Sequence, residues 1–542
     1  MASSATAGAA DGGGGRASLF ARQSSGLLRE MSFADTAWYG VFSSGGLFAF
    51  VFLFPGPQFF SPGISIPLML VFTLLYGVVI YFVYAGLGSA MPRAGGDYLY
   101  ESRSLHPAVG FTVPWACQLL FWLAFPAAGA FVVTSFGLEP IAQKAGWAGV
   151  ESWLFSKNGT FIVSAVVVVL CWLLTVFGMR VYRPLQRWVL VPGILIATAT
   201  IIILELTNLG TNFSAKFDAY SGDQLTAHQV AAAAAKAGYH QPGFSLGHTL
   251  IWVAVLAAYV PYTMFSAQGL LGEVKGARNM WRLYSAFLLP GVLVSMVMLA
   301  IPYLLIQHLA GGNFLNQFSW AYNSGGITTP YSPNIAVFIS MLSNNWIVTI
   351  LIAFGFICGG FGIANVVFVN ASRIMMAMGL DGSLPSFFSD VSERRHTPMK
   401  AATLWSLLAL LVAAVFAYKP SWETIILIGG AITSVTVVGF PCLAATVFPF
   451  RSKDIYQASP VAQYEVGGVP LISIAGAVVT IANAALVWVA LTNSQLGLTS
   501  TNARLSIGGA FVSGILVYIT MTMYRRGQGV DTSLAYRHVP PD

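Results

Sequence analysis

Long apolar segments recur along the whole chain, and short polar connections separate them. A helix needs about 20 apolar residues to cross the ~30 Å hydrocarbon core of a bilayer. None of these segments shows the strict alternation of apolar and polar residues that marks an outer-membrane β-strand. The pattern therefore predicts an all-α integral membrane protein with twelve transmembrane helices. The predicted spans are 33–54, 64–91, 109–136, 161–179, 188–206, 250–271, 283–309, 347–376, 401–418, 424–448, 471–491 and 505–524.

The basic residues are divided unequally between the two sides that this map defines. Of the 26 Lys and Arg residues, 20 belong to one side: 19 lie before the first span, in the even-numbered connections or after the last span, and Arg373 lies at the same end of the eighth span. Cytoplasmic loops of membrane proteins accumulate basic residues. We therefore expect both termini in the cytoplasm and an even number of crossings. The same asymmetry accounts for the net charge of +7, so nucleic acid is not expected as a partner.

The composition supports a membrane protein and excludes two other classes. Only 8% of the residues are charged and the mean hydropathy is +0.73, whereas soluble domains carry about a quarter charged residues. The apolar content also excludes a disordered chain. The four cysteines lie within spans, where they read as small buried side chains. We expect a disordered cytoplasmic tail at 1–30, a transmembrane domain at 31–524 surrounded by lipid, and a cytoplasmic tail at 525–542.

Two spans are interrupted by residues that disfavour a helix. Proline lacks an N–H group, and glycine lowers the cost of leaving helical geometry. Proline and glycine are frequent in membrane helices, so a single interruption is more often a kink than a site. Paired breaks at equivalent places in two halves, however, are typical of transporters that bind substrate at the midplane. The breaks contain Ser43, Ser44, Gly45 and Gly46 in the first span, and Ala257, Ala258, Tyr259, Val260 and Pro261 in the sixth.

Three cytoplasmic connections carry recognisable motifs. The first reads Met-Pro-Arg-Ala-Gly-Gly-Asp-Tyr at 91–98, the second occupies 272–279, and the third runs from 371 to 385. Together these segments resemble the amino acid–polyamine–organocation permease superfamily. Two features depart from the family pattern. Ser44-Gly45-Gly46 stands where the family usually has Gly-Ser-Gly, and the Gly276-Ala277 pair replaces the proline expected after Lys275.

The resemblance implies a LeuT-like fold, a 5+5 inverted repeat with two peripheral helices. The repeats would be 33–206 and 250–448, and the peripheral helices 471–524. It also implies a multi-pass permease of the plasma membrane that moves amino acids by alternating access. The first break would bind the substrate carboxylate and the second its ammonium group, which suits a neutral amino acid. The expected substrate-binding residues are Ser43, Ser44, Gly45, Gly46, Ala257, Ala258, Tyr259, Val260 and Asn365, with Tyr259 also acting as an aromatic gate.

Charged residues on the cytoplasmic side provide a candidate inner gate. Glu273 stands on the same face as Arg93, Arg103 and Arg373. Pairing of Glu273 with one of these arginines would close the inside, and solvated interfacial charge is the alternative. The residues after the first motif, among them Tyr98, suit a short interfacial helix.

Several functions and coupling modes stay open from the sequence. A polyamine or other organocation permease is the nearest alternative. A membrane enzyme is the rival suggested by the G-x-S-x-G pattern at 243–247, but the strand–turn–helix setting of a nucleophile is missing. A channel lacks a recognisable filter. We expect no cofactor and no metal. The spans contain no evident proton relay, and exchange, facilitated diffusion and a coupling proton are all compatible with the sequence.

Overall fold

The computed structural model describes residues 26–222, 224–329, 331–493 and 501–536, and these are folded almost entirely into helices. Most of the predicted N-terminal tail and the end of the C-terminal tail lie outside the described residues. The first half contains α1 Phe33–Ser43, α2 Gly56–Phe60, α3 Ile66–Ala90, α4 Gly96–Ser104, α5 Pro107–Leu120, α6 Phe125–Val132, α7 Glu139–Lys144, α8 Ala148–Leu154, α9 Lys157–Phe177, α10 Met179–Leu185, α11 Val191–Thr207, α12 Phe213–Tyr220 and α13 Ala227–Lys236.

The second half of the chain is also helical. It contains α14 Leu246–Leu256, α15 Phe265–Gly269, α16 Met280–Val292, α17 Ile301–Ala310, α18 Gly312–Asn323, α19 Ile335–Ser340, α20 Trp346–Leu380, α21 Met399–Tyr418, α22 Pro420–Arg451, α23 Lys453–Gln457, α24 Leu471–Thr492 and α25 Thr501–Gly527. Short 3-10 helices occupy Gly46–Phe52, Trp122–Ala124, Val260–Met264, Leu271–Glu273, Ser386–Ser389, Pro460–Gln463 and Thr532–Tyr536. π-Helical turns join α6 to α7, α10 to α11 and α16 to α17, and a two-stranded hairpin pairs β1 Glu465–Val466 with β2 Val469–Pro470.

Within the described residues, eleven helices are long and apolar enough to cross a membrane. Each overlaps one predicted span. The first predicted span is absent from that set because it is divided into α1 and the 3-10 helix Gly46–Phe52. The all-α membrane architecture is thus confirmed, while the count of twelve and the side on which the termini lie stay predictions.

Helix α20 lies at the centre of the molecule and packs against α6, α9 and α11. Glycines on its surface allow backbones to approach closely. A Cβ atom on Gly360 would lie 2.5 Å from the carbonyl oxygen of Gly129 in α6, and one on Gly355 would lie 2.0 Å from the Cβ of Ala197 in α11. Small residues serve this purpose in membrane helices because lipid offers no hydrophobic driving force for association.

Helix α4 differs from the predicted interfacial helix, because its side chains are buried rather than exposed to the membrane surface. Tyr98 and Tyr100 are both fully buried. The Tyr100 hydroxyl donates to the carbonyl oxygen of Ala267 at 2.8 Å. Helices α5 and α22 cover α4, so it belongs to the core of the molecule. The sequence pattern was misleading here because aromatic residues suit an interface and a buried packing surface equally well.

Replacement of Gly360 by Ala should destabilise the protein, because the new methyl group would strike the backbone of α6. We expect a cost of about 1–3 kcal/mol, seen as a lower apparent melting temperature of the detergent-purified protein. The matched control is Gly508→Ala, where a Cβ meets nothing within 4 Å. Equal melting temperatures for Gly360→Ala and the wild type would show that α6 and α20 do not pack as described.

Candidate functional site

The first span is broken where its Ser and Gly residues stand. Helix α1 ends at Ser43, and the 3-10 helix begins at Gly46. Between them Gly45 has φ +86°, and Gly46 follows with φ +48°. This left-handed region is readily accessible only to glycine. The backbone therefore leaves α-helical geometry because the sequence places two glycines in succession inside an apolar segment.

The sixth span is broken in a corresponding way. Helix α14 ends at Leu256, residues 257–259 form a turn, and the 3-10 helix Val260–Met264 leads into α15. Pro261 lies in the first turn of the 3-10 helix, where its missing N–H group is tolerated. The turn bonds the end of α14, since the N–H groups of Ala258 and Tyr259 donate to the carbonyl oxygens of Val255 and Leu256. The irregular segment itself then presents the carbonyl groups of Ala257 and Ala258 outside a regular helix.

An aromatic cluster joins the two breaks. The ring of Tyr259 stacks on Phe52 with 4.1 Å between the ring centroids, and its centroid lies 6.2 Å from that of Phe48. From the third span, Phe121 and Phe125 approach Tyr259 at 5.7 and 6.0 Å. Tyr259 is only 3% exposed. We call these five rings the aromatic cluster. They cover the broken segments and bring the first, third and sixth spans together.

The hydroxyl groups of the two predicted serines are engaged within their own helix. The Ser43 hydroxyl donates to the carbonyl oxygen of Tyr39 at 2.7 Å, and that of Ser44 to Val41 at 3.0 Å. Neither proton is therefore available to a ligand without rearrangement. The backbone N–H of Gly45 donates to the carbonyl oxygen of Phe42 at 3.0 Å, so the N–H of Gly46 is the candidate donor at the first break. The other predicted residues at the second break, Ala257, Ala258 and Val260, are at most 3% exposed.

Asn365 lies on α20 at the level of α1, before its break. It is fully buried and next to Tyr182, which packs edge-on against Tyr39. One turn earlier on α20, Gly362 faces the ring of Phe42. Asn365 thus stands on the α1 side of the first break, and its contact with a substrate stays a prediction.

A buried ion pair lies at the predicted gate, on the side of the molecule that the basic residues predict to be cytoplasmic. Arg373 Nε lies 2.8 Å from Glu273 Oε1, with side-chain exposures of 0% and 4%. Burial raises the pKa of Glu273 above its usual range, although Arg373 beside it acts in the opposite direction. The backbone of Met31 pairs with that of Glu273 and Lys275, so the segment before α1 lies across this ion pair.

Arg103 and Arg93 do not pair with Glu273. Arg103 binds Asp381 at 2.8 Å, and Arg93 donates to the carbonyl oxygen of Pro92. Burial opposes the charge of Arg103, but Asp381 more than offsets this, and the pKa of Arg103 is raised. The same guanidinium donates to the carbonyl oxygen of Ala535.

The end of the described chain completes this second ion-pair network. Arg103 lies 5.3 Å from the ring centroid of Tyr536, and the Tyr536 hydroxyl contacts Ser383 at 2.5 Å. Neither Asp381 nor Tyr536 had a predicted role. Asp381 could have been found, because it lies in the third motif, whereas no local pattern links residue 536 to Arg103.

The G-x-S-x-G segment has a structural explanation. Ser245 is the N-cap of α14, and its hydroxyl accepts a hydrogen bond from the His248 backbone N–H at 3.2 Å. Serine is a preferred N-cap residue for this reason. Within the described residues, no group of three His, Cys, Asp or Glu side chains could hold a metal ion.

Comparison with known proteins identifies the family. The family of amino acid permeases matches residues 36–521. The chain belongs to this family. This permease is therefore a multi-pass protein of the plasma membrane and a member of a transporter family rather than an enzyme.

Two curated relatives share a small part of their sequence with the permease. It is 21% identical to the branched-chain amino acid permease BcaP of Bacillus subtilis over 399 residues, 72% of this chain and 75% of that one. It is 27% identical to cationic amino acid transporter 1 of Schizosaccharomyces pombe over 135 residues, 24% of this chain. That match spans about a fifth of the yeast protein's length.

The fold of the permease is that of a solved transporter. The crystal structure of MhsT in complex with L-phenylalanine matches with a TM-score of 0.53 at 11% identity, covering 86% of this chain and 99% of the other. The LeuT-like fold expected from the motifs is thereby confirmed.

Replacement of Asp381 by Asn should strongly destabilise the permease. Arg103 would keep its charge in a buried position without a carboxylate partner, and breaking such a pair costs about 3–5 kcal/mol. The matched control is Asp390→Asn, which removes the exposed ion pair with Lys400, worth about 0–1 kcal/mol. Melting temperatures in detergent measure both. Equal effects of the two substitutions would contradict the described Arg103–Asp381 pair.

Proposed function

We propose that this permease carries a small neutral amino acid across the plasma membrane by alternating access. The observation that supports this most directly is the meeting of two broken helices at one place inside the bilayer. The residues of both breaks are uncharged and buried. A zwitterion needs one donor site and one acceptor site, and broken membrane helices supply both from the backbone.

The substrate carboxylate would bind at the first break. The backbone N–H of Gly46 would be the donor, because the N–H of Gly45 and both serine hydroxyls are already engaged. The N-terminal end of a helical segment carries partial positive charge, which favours an anion there. Gly46 begins such a segment.

The substrate ammonium group would bind at the second break. The carbonyl groups of Ala257, Ala258 and Val260 are the acceptors, and the C-terminal end of α14 carries partial negative charge. No carboxylate side chain belongs to either break, which disfavours cationic substrates. An amine without a carboxylate would leave the donors of the first break unused. The site therefore suits a zwitterion better than a polyamine.

The aromatic cluster would surround the substrate side chain. Its rings offer apolar surface and one phenolic hydroxyl, so an apolar or aromatic side chain fits best. Two similar proteins support an apolar or aromatic substrate side chain. BcaP is named for branched-chain amino acids, and the structure of MhsT contains L-phenylalanine. In this proposal Tyr259 acts as a gate as well as a contact.

The inner gate would consist of the two ion-pair networks. Opening toward the cytoplasm requires separation of Glu273 from Arg373 and of Arg103 from Asp381. Arg93 stands beside them in the loop before α4. Closure would exclude water from the substrate while it is bound.

The substrate class can be tested by counterflow in proteoliposomes loaded with unlabelled compounds. L-Leucine or L-phenylalanine inside should accelerate uptake of the labelled amino acid, whereas the corresponding amines and carboxylic acids should not. The reason is that each lacks one of the two charged groups. Stimulation by isoamylamine or a polyamine equal to that by L-leucine would overturn the proposal in favour of an organocation permease.

The aromatic cluster predicts a difference between two substitutions of Tyr259. Tyr259→Ala removes the ring that stacks on Phe52 and should lower counterflow by about tenfold, since an aromatic pair contributes about 0.5–1.5 kcal/mol beyond its buried area. Tyr259→Phe keeps the ring and should retain most activity. Tyr524→Ala, at an exposed position, is the control. Wild-type counterflow in Tyr259→Ala would remove the residue from the site.

A further inference from the structure

Two carboxyl groups on α4 are buried without a counter-charge. Asp97 and Glu101 lie one helical turn apart and are 1% and 0% exposed. In the described part of the chain, Asp97 Oδ1 and both oxygens of Glu101 have no hydrogen-bond partner. Buried polar groups are nearly always hydrogen-bonded in native proteins. Three unpartnered carboxyl oxygens at one place therefore require an explanation.

A glutamine side chain from α15 is directed at this pair of carboxyl groups. Gln268 on α15 is fully buried, and its Nε2 donates to Asp97 Oδ2 at 2.7 Å. The same nitrogen lies 3.2 Å from the hydroxyl of Tyr84, and the Oε1 atom of Gln268 has no partner. An amide carries no charge and cannot neutralise a carboxylate. It can, however, serve both forms of the acid, because it has one donor end and one acceptor end.

The other titratable groups near the pair are neutral or acidic. Arg103, two residues after Glu101, is directed to Asp381 instead. The groups that interact with the pair are Tyr84 from α3, Tyr100 from α4 itself, Cys117 from α5, Tyr262 from the 3-10 helix after the second break and Cys442 from α22. None of these is basic.

Two carboxylates cannot both be ionised in such surroundings. Burial raises the pKa of Asp97 to about 8. Burial and the nearby charge of Asp97 raise the pKa of Glu101 well above its usual range. An ionised carboxylate in a low-dielectric interior is costly unless it is paired, and the group takes up a proton instead. The closed cytoplasmic half thus retains at least one proton on this pair at neutral pH.

The position of the pair depends on the broken sixth span. The backbone N–H of Gly95 donates to the carbonyl oxygen of Gly269 at 3.2 Å. A Cβ atom on Gly96 would lie 2.2 Å from the carbonyl oxygen of Ala267 and from the backbone of Gln268. The start of α4 therefore rests directly on α15. Any movement of α15 away from α4 would take Gln268 from Asp97 and let water reach both carboxyl groups.

We propose that Asp97 and Glu101 form a proton-binding site that is filled while the cytoplasmic side is closed and emptied when it opens. On opening, one carboxyl O–H bond breaks, a water molecule accepts the proton and the carboxylate remains hydrated. Closing reverses the step. The inference rests on the proposed transport cycle, which supplies the opening of the inner side. The residue that links the site to the substrate is Gln268, because it shares the segment Val260–Gly269 with the second break.

The first experiment measures proton linkage without transport. Apparent melting temperatures of the full-length permease in detergent are recorded from pH about 5 to about 8.5. A carboxyl whose pKa is higher in the folded state binds more protons folded than unfolded, so stability falls as pH rises through this range. Asp97→Asn mimics the protonated acid and should flatten that fall, as should Glu101→Gln. Glu393→Gln, at an exposed position, should retain the wild-type slope.

The second experiment separates this inference from the proposed function. Counterflow of L-leucine in proteoliposomes should rise several-fold with pH in the wild type and in Glu393→Gln, and should depend little on pH in Asp97→Asn. Identical melting slopes and identical pH profiles for the wild type, Asp97→Asn and Glu101→Gln would overturn the proton site while leaving amino acid transport intact. Absence of counterflow at every pH, with the difference in melting slopes preserved, would overturn the transport function and leave the proton site standing.

Discussion

The backbone of a membrane protein must satisfy its own hydrogen bonds, because lipid supplies no partners. This permease leaves continuous helical geometry twice, at Gly45–Gly46 and at residues 257–259. Most backbone N–H groups there find partners in tight turns, as Gly45 does with Phe42 and Tyr259 with Leu256. Both irregular segments lie inside the molecule, where the aromatic cluster shields them from lipid. In the proposed function, the N–H of Gly46 and the carbonyl groups of the second break would bind a ligand that carries one negative and one positive charge. The neutral lining follows from this, since charged side chains would compete with the substrate.

The remaining structure holds these two segments in place. Glycines on α20 let α6 and α11 approach its backbone, which fixes the third and fifth spans beside the first break. On the side of the breaks that is predicted to be cytoplasmic lie the buried pairs Glu273–Arg373 and Arg103–Asp381. Buried ion pairs contribute little net stability, but their strict partner requirement suits a contact that must form in one state only. The glycines of the first motif bring α4 against α15, and the proposed proton site lies at that contact.

Eleven of the twelve predicted spans coincide with helices long and apolar enough to cross a bilayer, because the length of an apolar segment is visible in the sequence. The breaks were predictable because Gly45, Gly46 and Pro261 act locally. Partners distant in sequence were not predictable, because their meeting depends on tertiary packing. The pairing of Arg103 with Asp381, the approach of Tyr536 and the facing of Gln268 toward Asp97 are of this kind. Burial of α4 was missed for the same reason, since its tyrosines suit either environment.

The most direct measurement is a cryo-electron microscopy map of the permease in lipid nanodiscs with saturating L-leucine. Density for the ligand should lie between the two broken helices, with its carboxylate against the backbone at Gly45 and Gly46 and its ammonium group against the carbonyl groups after Leu256. A map with both helices continuous through these residues, or with the ligand bound only in the cavity of about 510 Å³ lined by Lys144, Glu151 and Tyr220, would contradict the central role of the breaks.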